Sequence, residues 1–263
     1  MKGRQVRVRV VVICFVLLAG GIARAAEFRI GAHGGINMPN LHGEEGDPIT
    51  EGFESRQGAF YGIVANLGLT PHISLVAELN YSSQGGQRNG LQIITATFLP
   101  EGLPLPEGMD LYANYRNESI LDYIEIPLLA RLSFGKKIRI FINAGPYFGI
   151  LVGARALTEG RSFIYYDENG AMPIVIPPGT DPLELDLTAE TDIMDELKKT
   201  NFGLTSGGGV MIPVGPGTVI AEGRLQWGLT VIQKDIQRSG KSRTGGFIIS
   251  LGYSLPLTKK KAG

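Results

Sequence analysis

Eight segments of the chain alternate apolar with polar or small residues at the two-residue period of a half-buried strand. They run over 27–36, 59–69, 72–82, 122–133, 137–149, 201–212, 218–230 and 244–255. The seventh is the clearest, with Val219, Ala221, Leu225, Trp227 and Leu229 opposed to Glu222, Arg224 and Gln226. The fourth sets Ile124, Ile126, Leu128, Ala130 and Leu132 against Tyr123, Glu125 and Arg131. The sixth is glycine-rich, and its facing stays open. Each segment has roughly the 9 to 12 residues of a tilted strand crossing a bilayer. Pro127 inside the fourth removes one ladder hydrogen bond, which predicts a bulge there.

The connections alternate in length. Thr70-Pro71, Gly135-Lys136 and Gly215-Pro216-Gly217 are tight-turn chemistry. The other links are long, about 37–58, 83–121, 150–200 and 231–243. Short turns on one side and long loops on the other are the pattern of an outer-membrane barrel. The fold class expected is therefore all-β: an eight-stranded antiparallel up-and-down transmembrane barrel with short periplasmic turns and long outer loops. Monomeric assembly is expected with it.

A soluble periplasmic lipocalin-like ligand binder shares the strand count and the alternation. Facing separates the two. The polar faces carry Arg29, Glu78, Glu125, Arg131, Arg139, Glu222 and Arg224, which cost too much to bury in a dry core unless paired. In a membrane barrel they point into the lumen as a charge network and the aliphatic face meets outer-membrane lipid.

Before the first strand, Lys2, Arg4, Arg7 and Arg9 precede an apolar run from Val10 to Ala19, followed by Ala23-Arg24-Ala25. This is the layout of a secretory signal peptide, residues 1–25, removed to leave a single domain over 26–263. The only cysteine, Cys14, leaves with it, so the mature chain has neither disulfide nor thiol chemistry. Cleavage also removes five basic residues and no acidic one, leaving 20 basic against 25 acidic. A mildly acidic chain without a basic face is not a nucleic-acid binder. Glycine is abundant, 37 of 263 residues, and sits within the alternating segments, where it marks strands that bend or pack closely.

Four stretches resemble the PorT-like outer-membrane barrels, a porin-family group of Bacteroidetes-type bacteria. They are Tyr123-Ile124-Glu125-Ile126-Pro127-Leu128-Leu129, Ala144-Gly145-Pro146-Tyr147-Phe148-Gly149, Lys198-Lys199-Thr200-Asn201-Phe202-Gly203-Leu204 with the following Gly207-Gly208-Gly209, and Gly31-Ala32-His33-Gly34-Gly35 with Asn37. The resemblance implies a barrel of a Gram-negative outer membrane, delivered by the outer-membrane assembly machinery. It also implies envelope or secretion proteins as partners.

The long loops hold the candidate chemistry. Phe163–Tyr166 and Met172–Ile176 flank Asp167-Glu168-Asn169-Gly170 and predict a hairpin. Residues 188–199 predict a short helix, with Thr188 as cap and Ile193 and Leu197 on one side. Seven carboxylates, Asp181, Glu184, Asp186, Glu190, Asp192, Asp195 and Glu196, read as a solvated acidic loop, and a calcium site is the alternative. Ile93, Ile94, Phe98, Leu99, Leu103, Leu105 and Met109 give the second loop an apolar character, expected to form a lid or a partner patch.

Catalysis would have to come from His42, Asp47 and Ser55 in the first loop, and nothing in the sequence fixes their geometry. No phosphate loop, zinc spacing or nucleophile elbow is present. The function expected is a non-enzymatic barrel with a structural, binding or secretion- and transport-assisting role, without catalytic, cofactor or metal residues. A narrow small-solute pore and a rim hydrolase or acyltransferase are the alternatives.

Overall fold

The structure is a computed structural model that describes residues 27–43, 52–94, 110–175, 179 and 181–257. The leader with Cys14, Asp47 and most of the apolar second-loop segment lie outside the described residues. The strands are β1 (Glu27–His42), β2 (Gly58–Gly68), β3 (Ile73–Ile93), β4 (Tyr112–Gly135), β5 (Arg139–Glu159) and β6 (Arg161–Tyr165). They continue as β7 (Glu184–Asp186), β8 (Ala189–Asp192), β9 (Thr200–Val214), β10 (Gly217–Gly228) and β11 (Arg243–Pro256).

Eight of these close a ring in the order β1, β2, β3, β4, β5, β9, β10, β11 and back to β1, with every pair antiparallel. Closure leaves no open sheet edge at membrane depth, which hydrocarbon would not tolerate. Each ring strand coincides with one of the eight alternating segments to within two residues at the short-turn or outer end, or extends beyond it. Three short turns join β2 to β3, β4 to β5 and β9 to β10. At the second of these Gly135 has φ +113°, and a side chain there would meet the Ile138 carbonyl oxygen.

Facing follows the alternation. Ile63, Leu128, Ile140, Leu225, Trp227 and Leu251 stand exposed on the outer wall, Trp227 at 67% and Leu251 at 64%. Glu78, Asn80, Glu125, Arg131, Asn143, Glu222 and Arg224 are buried inside. A soluble barrel places these two sets the other way round, so this wall is built to meet lipid. The open facing of the sixth segment is resolved: Asn201, Gly203, Thr205, Gly207 and Gly209 turn inward, while Phe202 and Leu204 turn outward.

Three regions depart from the sequence expectation. First, strand structure continues into residues read as loop, because β3 and β4 stay paired as far as Ile93 and Tyr112, and β4 and β5 as far as Arg116 and Glu159. Second, residues 188–199 do not form a helix. Ala189–Asp192 add β8 to the β5 edge, and a 3-10 turn at Met194–Glu196 follows. The free edge of β5 offers this segment ladder bonds that a short exposed helix could not match. Third, the irregularity predicted at Pro127 lies instead between Asp122 and Tyr123. Pro127 lacks a donor but stays aligned with Tyr147, so the register passes through it unshifted.

The third-loop hairpin forms as a short one, with Tyr165 bridged to Pro173 and Gly170 at φ +66° in the turn. Asp167 accepts from the backbone N–H of Asn169, Ala171 and Met172. The Ala171 and Met172 donors hold its carboxyl below the ordinary 3.8. A lowered folded pKa stabilises the turn above that value and ceases to as pH falls through the folded pKa. Protection of the Asn169, Ala171 and Met172 amides, taken relative to their intrinsic exchange rates at each pH, should therefore be full at neutral pH and be lost only below pH 3.8. Loss of protection beginning at pH 5 would contradict this account of the turn.

Candidate functional site

The lumen and the outer face are the two places where this fold brings polar chemistry together. In the lumen, Arg224 of β10 is the centre. Its Nη1 and Nη2 grip both carboxylate oxygens of Glu78 at 2.7 and 2.9 Å. Nη2 and Nε also reach Glu222 at 2.8 and 3.0 Å. Glu222 accepts from Asn143 Nδ2 at 2.9 Å and faces Arg131 Nη2 at 3.6 Å. Arg131 in turn lies 4.3 Å over the Phe141 ring. Asn80 donates to Glu78 at 2.9 Å, and its oxygen meets His33 Nε2 at 2.8 Å.

Glu125 sits apart from these ion pairs. Both of its oxygens are held by neutral amides, Gln84 Nε2 at 2.9 Å and Gln226 Nε2 at 2.6 Å. Arg29 and Arg139, grouped with the lumen charges by alternation, lie outside the network. Arg29 bonds Glu27 and Thr218, and Arg139 bonds Ser133 and the Pro71 carbonyl. Four of the seven predicted charges therefore meet as ion pairs, Glu125 is held by amides, and two face other partners.

The charges named from the sequence are completed by four neutral residues, Asn80, Gln84, Asn143 and Gln226. The alternation puts Asn80, Asn143 and Gln226 on polar faces without joining them to the charges, and Gln84 it misses. Three of them have a readable signal, since Asn80 and Gln226 lie two residues beyond Glu78 and Arg224 and Asn143 opposes Arg131 across the strand pair. Gln84 lies past the end assigned to its strand. Space for the large inward side chains comes from inward glycines, and a methyl at Gly203 would collide with the Tyr147 ring.

Apolar layers bracket this polar layer. Val64, Val76 and Leu129 form a buried cluster within the barrel. At the outer end Leu121, Tyr123 and Leu151 pack with Leu41 and Phe53 of the first link, Ile193, Met194 and Leu197 of the third, and Ile232 of the fourth. Among the described residues, the mouth is thus capped by side chains drawn from several of the long links. Between the layers a cavity of about 10 Å³ remains, lined by His33, Val64, Glu78, Arg131, Ile220, Glu222, Ser250 and Gly252. That is room for about one water.

The outer face carries a second apolar core. Ile94, Leu111, Ala113, Tyr115, Ile164, Ile174 and Leu187 are buried together, with Tyr166, Leu183 and Leu185 against them. Hydrogen bonds from Ile164 to Leu183, Ile174 to Ile164 and Leu183 to Ile174 hold the segments in register. The tops of β3, β4 and β5 with β6, β7 and β8 therefore make an ordered platform above the membrane.

The remaining candidates disperse. Asp186 faces Arg161, Glu190 faces Arg155, and Asp192 accepts from the Met194 N–H. Among the described residues, no three of the histidines and acidic side chains converge as a metal site. His42 stacks on Trp227 with centroids 6.1 Å apart, and the Ser55 carbonyl accepts from Gln87.

A closed eight-stranded barrel with an apolar outer wall, a filled lumen and a raised outer platform defines an integral outer-membrane protein. Residues 22–233 match the outer membrane protein β-barrel domain family, and the chain belongs to it. Its location is the outer membrane. Among solved structures it is similar to the Neisserial surface protein A, at 12% identity and TM-score 0.42 over 88% of this chain and 99% of that one. Ail, the attachment invasion locus protein of Yersinia pestis, gives 7% identity and TM-score 0.40 over 88% and 100%. The E. coli outer membrane protein W gives 14% identity and TM-score 0.38 over 89% and 98%. No curated protein sequence matches.

Proposed function

We propose that this barrel is a non-conducting, non-enzymatic anchor that works by binding through its outer platform. The observation that carries the reading is the filled lumen: ion pairs across its width, apolar layers bracketing them, and about 10 Å³ of cavity between. A solute path would have to break bonds of the Glu78, Arg224 and Glu222 set, which are expensive to part in a low-dielectric interior.

The platform supports the binding role. It is a buried apolar core on paired strands, the rigid support that recognition by loops requires. The four PorT-like stretches favour a partner within a secretion or envelope assembly. His42 stacked on Trp227 supports a structural use of that ring.

Planar-bilayer recording of the purified mature protein tests the reading. The expected result is no unitary conductance at voltages where an open porin conducts. Reproducible current steps from the unaltered protein would overturn it in favour of the small-solute pore.

A further inference from the structure

The platform has a side wall as well as a top, and that wall holds a cleft of its own. Tyr61 and Tyr81 stack at 4.9 Å on the lipid-facing side, as amphipathic rings do at a membrane interface. The β3 to β4 register runs on unshifted from Tyr81 opposite Ile124 to Ile93 opposite Tyr112. By strand alternation Gln87 and Asn89, with Glu118 and Arg116 opposite them, share the outward face of Tyr81. Six to eight residues of tilted strand place them roughly 15–20 Å above the tyrosines.

There the side chains form a chain of fixed donors. Arg56 Nε bonds one oxygen of Glu118 at 2.8 Å, and Arg116 Nη2 bonds the other at 3.2 Å and Gln87 at 3.1 Å. Arg116 is thereby held in place yet remains half exposed. Glu54 pairs with Gln87 through both backbone bonds and closes the side of the cleft. The cleft measures about 280 Å³ and is lined by Glu54, Gln87, Arg88, Asn89 and Arg116.

Every lining residue is a hydrogen-bonding one, which excludes an apolar ligand. Three guanidinium groups, those of Arg56, Arg88 and Arg116, stand against the two carboxylates of Glu54 and Glu118. The excess favours an anion, and guanidinium forks match phosphate oxygens. Asn89, Gln87 and Glu54 offer both donors and acceptors, the set that hydroxyl groups require. No aromatic ring lines the cleft, so a nucleobase would lack its stacking surface. The volume is near the lower end for small-ligand sites, about 300 Å³, and admits one substituted sugar rather than a chain.

We propose that this cleft binds a phosphorylated sugar, and that its source is the glycolipid headgroup of the surrounding outer leaflet. Three of its five lining residues, Gln87, Asn89 and Arg116, lie on the outward face of the wall above the interfacial tyrosines, the side on which the headgroups of that leaflet lie. Arg116 takes the phosphate and Asn89 a neighbouring hydroxyl. This inference rests on the outer-membrane location and is independent of any partner on the platform top.

The test uses the full mature protein folded in zwitterionic micelles. It is titrated with phosphorylated core oligosaccharide released from lipopolysaccharide, with the same material after dephosphorylation, and with inorganic phosphate. Saturable binding of the first, at least tenfold weakened by dephosphorylation and by Arg116→Gln, is the expected result. Asn89→Ala, at an exposed position, should weaken it about threefold while the barrel keeps its gel shift on boiling. Absence of saturation, equal binding of the dephosphorylated sugar, or inorganic phosphate binding as tightly would each overturn the proposal.

Discussion

Replacing Arg224 with methionine should cost about 3–5 kcal/mol of barrel stability, the usual penalty for removing one partner of a buried ion set. Arg224 is 3% exposed and is the cation bonded to both Glu78 and Glu222. Without it Glu78 retains only Asn80 and Glu222 retains Asn143 and the more distant Arg131. Two carboxylates would then face each other in a low-dielectric interior. Urea unfolding in lipid vesicles, read as loss of the compact band on an unboiled gel, measures the change. Arg161→Met is the control, because its contact with Asp186 is 3.9 Å long and open to solvent, and such pairs contribute at most about 1 kcal/mol. If both variants unfold at the same urea concentration, the lumen ion pairs are not what holds the barrel.

Leu251→Arg should destabilise the inserted barrel by about 2–4 kcal/mol, as an arginine does on the lipid face near mid-membrane. Leu251 lies midway along the outward row of β11, opposite Gly34 and Ala221, and is 64% exposed. In water the same substitution would be nearly neutral. Phe163→Arg supplies that comparison, since Phe163 is an exposed apolar residue on the platform. The refolded fraction in bilayers of both variants decides the matter. Equal yields would mean that the apolar wall of the barrel does not contact lipid.

The ring of eight strands was legible because each strand must satisfy two solvents at once. Lipid outside and a packed polar lumen inside force strict alternation, as in Leu225, Trp227 and their neighbours Arg224 and Gln226. Above the membrane that constraint ends. Residues 84–93 and 112–121 pair as strands although their sequence does not alternate cleanly, because both faces there meet water, glycine or neighbouring loops. The segment 188–199 misled for a related reason. Its spacing of Ile193 and Leu197 fits a helix face, yet both residues pack into the apolar cap from an extended chain and a 3-10 turn.

Within the lumen the charges were visible but their pairing was not. Alternation assigns a side chain to the interior without giving its height. Arg29 and Arg139 share the inward face with Arg224 yet lie near the short turns, where their partners are Thr218, Ser133 and a backbone carbonyl. The wall cleft carried no sequence signal, since Arg56, Gln87 and Arg116 come from three separated segments that the register alone brings together.

The strands of the ring are not equally tall. β3, β4 and β5 have 21, 24 and 21 residues, while β2, β10 and β11 have 11, 12 and 14. The cylinder is therefore cut obliquely and has a front and a back. Among the described residues, a neighbour in the plane of the membrane thus meets a parapet of long strands from one quarter and shorter strands from the other, and rotation about the membrane normal sets which of the two it faces.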